Sequence, residues 1–252
     1  MNNIVLSIII SVLPVVVLCK YIYDQDKYKE PKYLLIKLFV IGMITIIPTI
    51  IIELFLQKVF TVHTNNIISF FINTLISVAI VEELSKWIVV KSVAYNNKEF
   101  DHIYDIIVYS VFTSLGFALI ENIIYVLNTN IGIGIFRAIV SIPIHACCGI
   151  IMGYYLGKAK VSDITLSNRR NRHLIFSLLV PTITHTLYDT LLFSHNDTLL
   201  LIFIFFVIYT YISSLIKVKK LSNITCELKD INSTKVLNID IIDKLYKKEK
   251  VE

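Results

Sequence analysis

Residues 67–93 read IISFFINTLISVAIVEELSKWIVVKSV, an apolar run with Glu82, Glu83 and Lys86 inside it. A helix needs about 20 apolar residues to cross the hydrocarbon of a bilayer, and this run supplies them. Each ionisable group near the centre of such a helix costs roughly 2.5–3.5 kcal/mol on insertion scales. Groups of this kind persist where they face one another inside a bundle of helices. The stretch therefore sets the fold class and marks a candidate functional site together.

The rest of the chain agrees. Of 252 residues, 56% are hydrophobic and only 17% charged, and the mean hydropathy is +0.71. The period-2 alternation of a membrane barrel is absent. The expected fold is all-α, a polytopic transmembrane bundle of about seven spans: Ile4–Tyr23, Tyr33–Leu56, Ile67–Val93, Ile103–Leu127, Phe136–Leu156, Leu174–Phe193 and Leu199–Ile216. The first reads as a retained helix, because Met-Asn-Asn precedes it without a positive charge and no small-residue cleavage site follows.

Basic residues set the orientation. Lys20, Lys27, Lys29 and Lys32 flank the first connection, and Lys91 and Lys98 lie in the third. Lys158, Lys160, Arg169, Arg170 and Arg172 fill the fifth, and Lys217, Lys219 and Lys220 begin the tail. Only Lys58 and Arg137 fall on the other side. By the positive-inside rule the N-terminus is outside and the C-terminus cytoplasmic, an assignment that an even number of spans would break. The +5 formal charge records these loops and implies no nucleic-acid partner. The organisation expected is a transmembrane domain over 1–216 and a charged cytoplasmic tail over 217–252, with a short amphipathic helix at Leu237–Tyr246 as one reading of the tail. Cys147 and Cys148 fall mid-span and read as packing residues. Asn196-Asp197-Thr198 matches a glycosylation sequon, which carries no meaning in a bacterial chain; the richness in Ile, Asn and Lys fits an AT-rich bacterial genome, and so a bacterial cytoplasmic membrane.

Four spans carry ionisable groups. Lys86 lies three and four residues beyond Glu83 and Glu82, so its ammonium reaches either acid. That arrangement favours one ionised carboxylate in a dry setting, which is what water activation requires; the plainer reading is an ion pair that pins two helices. Phe117-Ala-Leu-Ile-Glu121-Asn122 puts Phe117 one turn before a second acid, beside an amide that donates hydrogen bonds. His145 opens a stripe of Gly149, Gly153 and Gly157, whose four-residue steps let helices approach closely, so His145 faces the interior. Arg137, two turns earlier, reads as an interfacial anchor or a supporting residue. His185 and Asp189 share a face at i,i+4, where the aspartate fixes the imidazole's tautomer or its charge; Pro181 upstream suggests a kink. At about 1.5 Å per residue, His145 and His185 reach the midplane, with Glu121 nearer the outer side and Glu82 nearer the inner.

In order, Glu-Glu-x-x-Lys, Phe-x-x-x-Glu-Asn, His and His-x-x-x-Asp resemble the PrsW family of intramembrane proteases, within a wider group that includes the CAAX prenyl endopeptidases and bacteriocin-immunity-type membrane proteases. The acidic-basic connection Tyr23-Asp24-Gln25-Asp26-Lys27-Tyr28-Lys29-Glu30-Pro31 is also similar to that family's first loop. The resemblance implies hydrolysis of a peptide bond within or beside the bilayer. The client would be a membrane protein such as a single-span anti-sigma factor, cut on the outer side as the first step of a stress-signalling cascade. It assigns catalysis to Glu82 or Glu83, Glu121, His145, His185 and Asp189, with Lys86, Phe117, Asn122 and Arg137 in support. In the wider group the first glutamate activates water and the last pair stabilises the oxyanion. This chain departs from the prenyl endopeptidases, which have histidine at the position of Glu121 and asparagine at that of Asp189. The acids leave metal chemistry open, and Glu83, Glu121, His145 and His185 would suffice for Zn2+.

Two other classes compete. A proton- or ion-coupled transporter also lines a midplane cavity with acids and histidines, although no inverted repeat is visible. A non-catalytic binding or immunity protein would use the same fold to hold a partner, although no motif residue is lost.

Overall fold

The computed structural model describes residues 2–60, 66–194 and 196–232; the Leu237–Tyr246 segment lies outside them. Nine α-helices form the described part: α1 (Asn2–Gln25), α2 (Lys32–Val59), α3 (Ile67–Thr74), α4 (Ile80–Val89), α5 (Asp105–Asn128), α6 (Ile131–Ile139), α7 (Ser141–Ile164), α8 (Arg170–Leu192) and α9 (Asp197–Ser222). Among the described residues there is no strand, only the isolated bridge between His102 and Glu227. Seven segments are long and apolar enough to cross a membrane. One is the rod α3–α4, continuous from Ile67 to Ala94, and another is α6 with α7.

Local sequence explains the breaks. Two five-residue π-turns, Leu75–Ala79 and Val90–Ala94, bracket α4; such turns insert a residue into the helical register and recur at functional sites. The α6–α7 break falls at Val140. Pro143 follows in the first turn of α7, where its missing N–H leaves no bond unmade. Asn66, Asn130 and Asn196 cap α3, α6 and α9 by accepting the N–H of Ser69, Ile133 and Leu199, as N-cap asparagines do. The Asn196 of the sequon therefore has a structural duty.

The bundle is inside out relative to a soluble domain. Ile36, Ile44, Ile47, Ile51 and Phe55 of α2, and Leu201, Phe205, Tyr209 and Ile212 of α9, are all more than half exposed. The polar groups lie within. Helix α5 is the hub, packed against α1, α2 and α7, and α7 in turn packs against α8. Without a hydrophobic force between helices in lipid, close packing must hold them together, and glycines permit it. A Cβ on Gly153 would lie 2.6 Å from the Ile107 Cα, and one on Gly149 would lie 3.0 Å from the Ser110 carbonyl oxygen. The glycine stripe thus seats α7 directly on the α5 backbone, and Gly42 and Gly116 do the same where α2 meets α5. Beyond α9, Ile224, Leu228 and Ile231 return to the core.

Candidate functional site

The π-turn ending at Ala79 hands over to α4, whose first turn carries Glu82 and Glu83 and whose next carries Lys86; all three are buried. The helical spacing has the consequence expected of it. Lys86 Nζ donates to Glu82 Oε2 at 3.0 Å and to Glu83 Oε1 at 2.8 Å. Its third contact is His145 Nδ1 at 3.1 Å, and the Phe117 ring lies beneath it, 4.3 Å from nitrogen to centroid. A buried ammonium is tolerable only when every donor is used. Here two carboxylates, an imidazole and an aromatic face surround it.

From this centre the polar chain runs both ways. On one side His145 Nε2 lies 2.8 Å from Glu121 Oε2, and Glu121 Oε1 accepts from Arg137 Nη2 at 2.5 Å. Arg137 also donates from Nε to Asn122 Oδ1 at 3.2 Å and lies over the Tyr125 ring. Asn122 in turn donates to Ser11 of α1 at 2.9 Å. On the other side His185 Nδ1 lies 3.1 Å from Glu83 Oε1, and its Nε2 is 3.5 Å from Asp189 Oδ2. The two imidazoles meet edge to face at 5.1 Å.

Hydrogen-bond partners fix the tautomers. Lys86 can only donate, so His145 presents its Nδ1 lone pair to the ammonium and keeps its proton on Nε2, 2.8 Å from Glu121 Oε2, while His185 turns Nδ1 to the Glu83 carboxylate, which can only accept. Glu82, Glu83, Lys86, Phe117, Glu121, Asn122, Arg137, His145, His185 and Asp189 therefore join one network, drawn from α4, α5, α6, α7 and α8. The differing depths of Glu82 and Glu121 are bridged by His145, which spans between them.

Access is uneven. The side chains of Lys86 and Glu83 are fully sealed, Glu82 keeps 6% of its surface, Glu121 15% and Asp189 18%. What exposure the network keeps is therefore mostly at Asp189 and Glu121, with a little at Glu82. Sequence reading passed over Glu53 of α2, which lies near enough to Glu82 and Glu121 to interact with them electrostatically and whose Oε1 is buried without a hydrogen-bond partner. The signal was available: Glu53 is an acid inside an apolar run, the same criterion that singled out Glu82.

Glu82, Glu83, His145 and His185 each offer a donor atom, and these atoms lie within 4.8 Å of one another. Two oxygens and two nitrogens fit a zinc-type ion in kind. Glu82 stands in this set where the sequence reading had Glu121, whose oxygens face Arg137 and His145. Lys86 Nζ lies within 3.1 Å of three of the four residues, so an ion would take the place of the ammonium.

A sequence profile described as PrsW family intramembrane metalloprotease matches residues 30–213. Protease PrsW of Oceanobacillus iheyensis is 37% identical over 210 residues, covering 83% of this chain and 93% of that protein. Protease PrsW of Geobacillus kaustophilus is 37% identical over 183 residues, covering 72% and 77%, and that of Bacillus subtilis is 35% identical over 185 residues, covering 72% and 80%. No solved structure gives a significant match. The match spans all five helices that build the buried network, and the chain belongs to the PrsW family of intramembrane proteases, as a multi-pass membrane protein.

Proposed function

We propose that this protease hydrolyses a peptide bond of a single-span membrane protein of the anti-sigma-factor type, with water activated by Glu82. The observation that carries the reading is the division of labour between the paired acids. Glu83 is sealed, and its Oε1 is engaged by Lys86 and His185. Glu82 shares the same ammonium at 3.0 Å yet keeps 6% of its side-chain surface. A carboxylate bonded to an ammonium and not fully sealed is placed to act as a general base, worth about 10²–10⁴ in rate.

In this account a water hydrogen-bonded to Glu82 attacks the scissile carbonyl carbon as Glu82 takes its proton. Glu82 then delivers that proton to the leaving amine as the C–N bond breaks. Negative charge gathers on the former carbonyl oxygen. His185, carrying both ring protons between Glu83 and Asp189, opposes that charge and offsets the repulsion of Asp189. Such stabilisation is typically worth about 3–4 kcal/mol. Arg137 and Asn122 hold Glu121, and Glu121 orients His145. Lysines in the first, third and fifth connections support a cytoplasmic C-terminus. Protease family membership favours this reading over the transporter and non-catalytic alternatives.

The zinc-type donor set supports a second reading. Glu82, Glu83, His145 and His185 would hold the ion, which would supply Lewis acidity and a more acidic bound water. The test is incubation of the purified protein with a single-span anti-sigma factor, with and without chelator, and mass spectrometry of the products. One cut, preserved under chelation, supports glutamate-activated water. Loss under chelation with recovery on zinc supports the metal reading, and no cut in any condition sinks both.

A further inference from the structure

A second group of acids gathers away from the intramembrane network, where the α1–α2 loop meets the start of α5. Asp26, Glu30 and Asp105 each offer a carboxylate oxygen, and the three oxygens lie within 4.8 Å of one another. All three residues are at least 96% buried. One oxygen of each is satisfied. Asp26 Oδ1 accepts the Tyr28 N–H at 3.1 Å, Glu30 Oε2 accepts the Tyr109 hydroxyl, and Asp105 Oδ2 accepts the N–H groups of Asp101 and His102 at 3.0 and 2.7 Å. Asp26 Oδ2 is buried with no hydrogen-bond partner, and Asp105 Oδ1 has none besides the Glu30 carboxyl itself.

The contrast with the intramembrane site is in the counter-charge. There, Lys86 and Arg137 bind the acids. Here, among the described residues, no lysine or arginine forms an ion pair with Asp26, Glu30 or Asp105. Lys29, adjacent in sequence, donates instead to the Tyr23 carbonyl. His102 turns its Nδ1 to Asp101 at 2.6 Å and stacks on Tyr28. Buried carboxylates without a partner are strongly unfavourable, so a positive charge belongs between them. Oxygen-only donors select a hard ion of the Mg2+ or Ca2+ class over a soft one, with water completing the shell.

We propose that Asp26, Glu30 and Asp105 form a binding site for a hard divalent cation that staples the α1–α2 loop to the start of α5. The C-terminal segment docks beside it, with the Leu228 N–H on the Asp101 carbonyl at 2.7 Å, so the staple braces three chain segments at one end of the bundle. Glu121 lies sixteen residues further along α5, about 24 Å away at 1.5 Å per residue. The role is therefore architectural and independent of the catalytic reading.

The test uses the full chain purified in detergent and stripped with EDTA. Loss of the free Mn2+ resonance signal on adding protein reads binding directly, and competition with Mg2+ and Ca2+ reads selectivity. The fluorescence of Trp87, the sole tryptophan, reads thermal unfolding, with sodium chloride of equal ionic strength as the control. The expected result is about one Mn2+ per chain and a midpoint raised by about 5–10 °C at a hundredfold excess of cation over Kd. Asp26→Asn and Glu30→Gln should weaken Mn2+ binding at least about tenfold. Their EDTA midpoints should equal or exceed that of wild type, since each relieves acid crowding. Glu83→Gln, in the intramembrane network, should bind Mn2+ as wild type does. No Mn2+ uptake by the wild type leaves a shared proton as the neutralising charge and overturns the site, a result that needs no variant to fold. Binding retained in both loop variants, or lost in Glu83→Gln instead, also overturns it.

Discussion

Replacing Lys86 by methionine removes the one ammonium that Glu82 and Glu83 share while keeping the side chain's length and its packing on Phe117. Its two ion pairs, at 3.0 and 2.8 Å, each carry on the order of 5–6 kcal/mol of Coulomb attraction at an effective dielectric of 20. Most of that is offset by the desolvation the ammonium no longer suffers. What remains is the penalty of two adjacent buried carboxylates without their cation, about 3–5 kcal/mol when one partner of a buried pair is removed. For a chain of this size that is a fall of about 6–20 °C in thermal midpoint, read by Trp87 fluorescence; Trp87 is adjacent to Lys86 and bonded to Ser177 of α8. The cycle is closed with Glu83→Gln and the double variant. Removing the second acid should return part of the loss, a coupling of about 1–3 kcal/mol. A midpoint shift under about 2 °C for Lys86→Met, or strict additivity in the cycle, would refute the claim that this lysine neutralises the pair.

Three further outcomes follow from the same geometry. Gly153→Ala puts a Cβ 2.6 Å from the Ile107 Cα; forcing α7 off α5 should cost about 1–3 kcal/mol, whereas an unchanged midpoint would mean the helices are not seated on that stripe. Arg137→Gln strips Glu121 and Asn122 of their shared donor. Losing a charge-assisted bond worth about 1.5–3 kcal/mol should lower turnover about 10–100-fold in a cleavage assay, and wild-type rates would remove Arg137 from the account. Burial above all, with the charges of Asp26 and Asp101, pushes the Glu30 carboxyl up to about 7 against its hydrogen bonds with Tyr109 and Asp105. A group whose pKa is raised by folding stabilises fully below its unfolded value, and that stability is lost as pH rises through about 7. In EDTA the midpoint should fall between pH 5 and pH 8, and Glu30→Gln should flatten that slope; an identical slope in the variant would show that Glu30 is not its source.

The fold was legible because lipid imposes a single long-range rule, apolar length, and the chain obeys it seven times. Ile67–Val93 emerges as a rod from Ile67 to Ala94. Boundaries fail where charge, rather than helix, ends. Lys217–Lys220 closed the last apolar count at Ile216, yet α9 runs to Ser222 because a basic last turn complements the helix dipole. The break at Val140 was hidden, since a proline in a first turn leaves no apolar signature. Within the site, the Glu82–Lys86 and Glu83–Lys86 contacts were readable from spacing alone. The Lys86–His145 and Glu83–His185 contacts depend on how deeply α7 and α8 seat, which a run of glycines permits but does not specify. The Asp26–Glu30–Asp105 cluster was illegible for the same reason: Asp105 lies 75 residues from Glu30, and only packing of α5 against α1 and α2 brings it there.

The central claim is that Glu82, rather than its sealed neighbour, activates the water that cleaves substrate. The direct measurement is the single-turnover rate of Glu82→Gln on a single-span anti-sigma factor, with its thermal midpoint and its capture of uncleaved substrate measured on the same preparation. The account predicts a rate lower by about 10²–10⁴, with substrate capture intact and a midpoint within a few degrees of wild type, because Glu83 still holds Lys86. A folded Glu82→Gln protein that cleaves at the wild-type rate would contradict it.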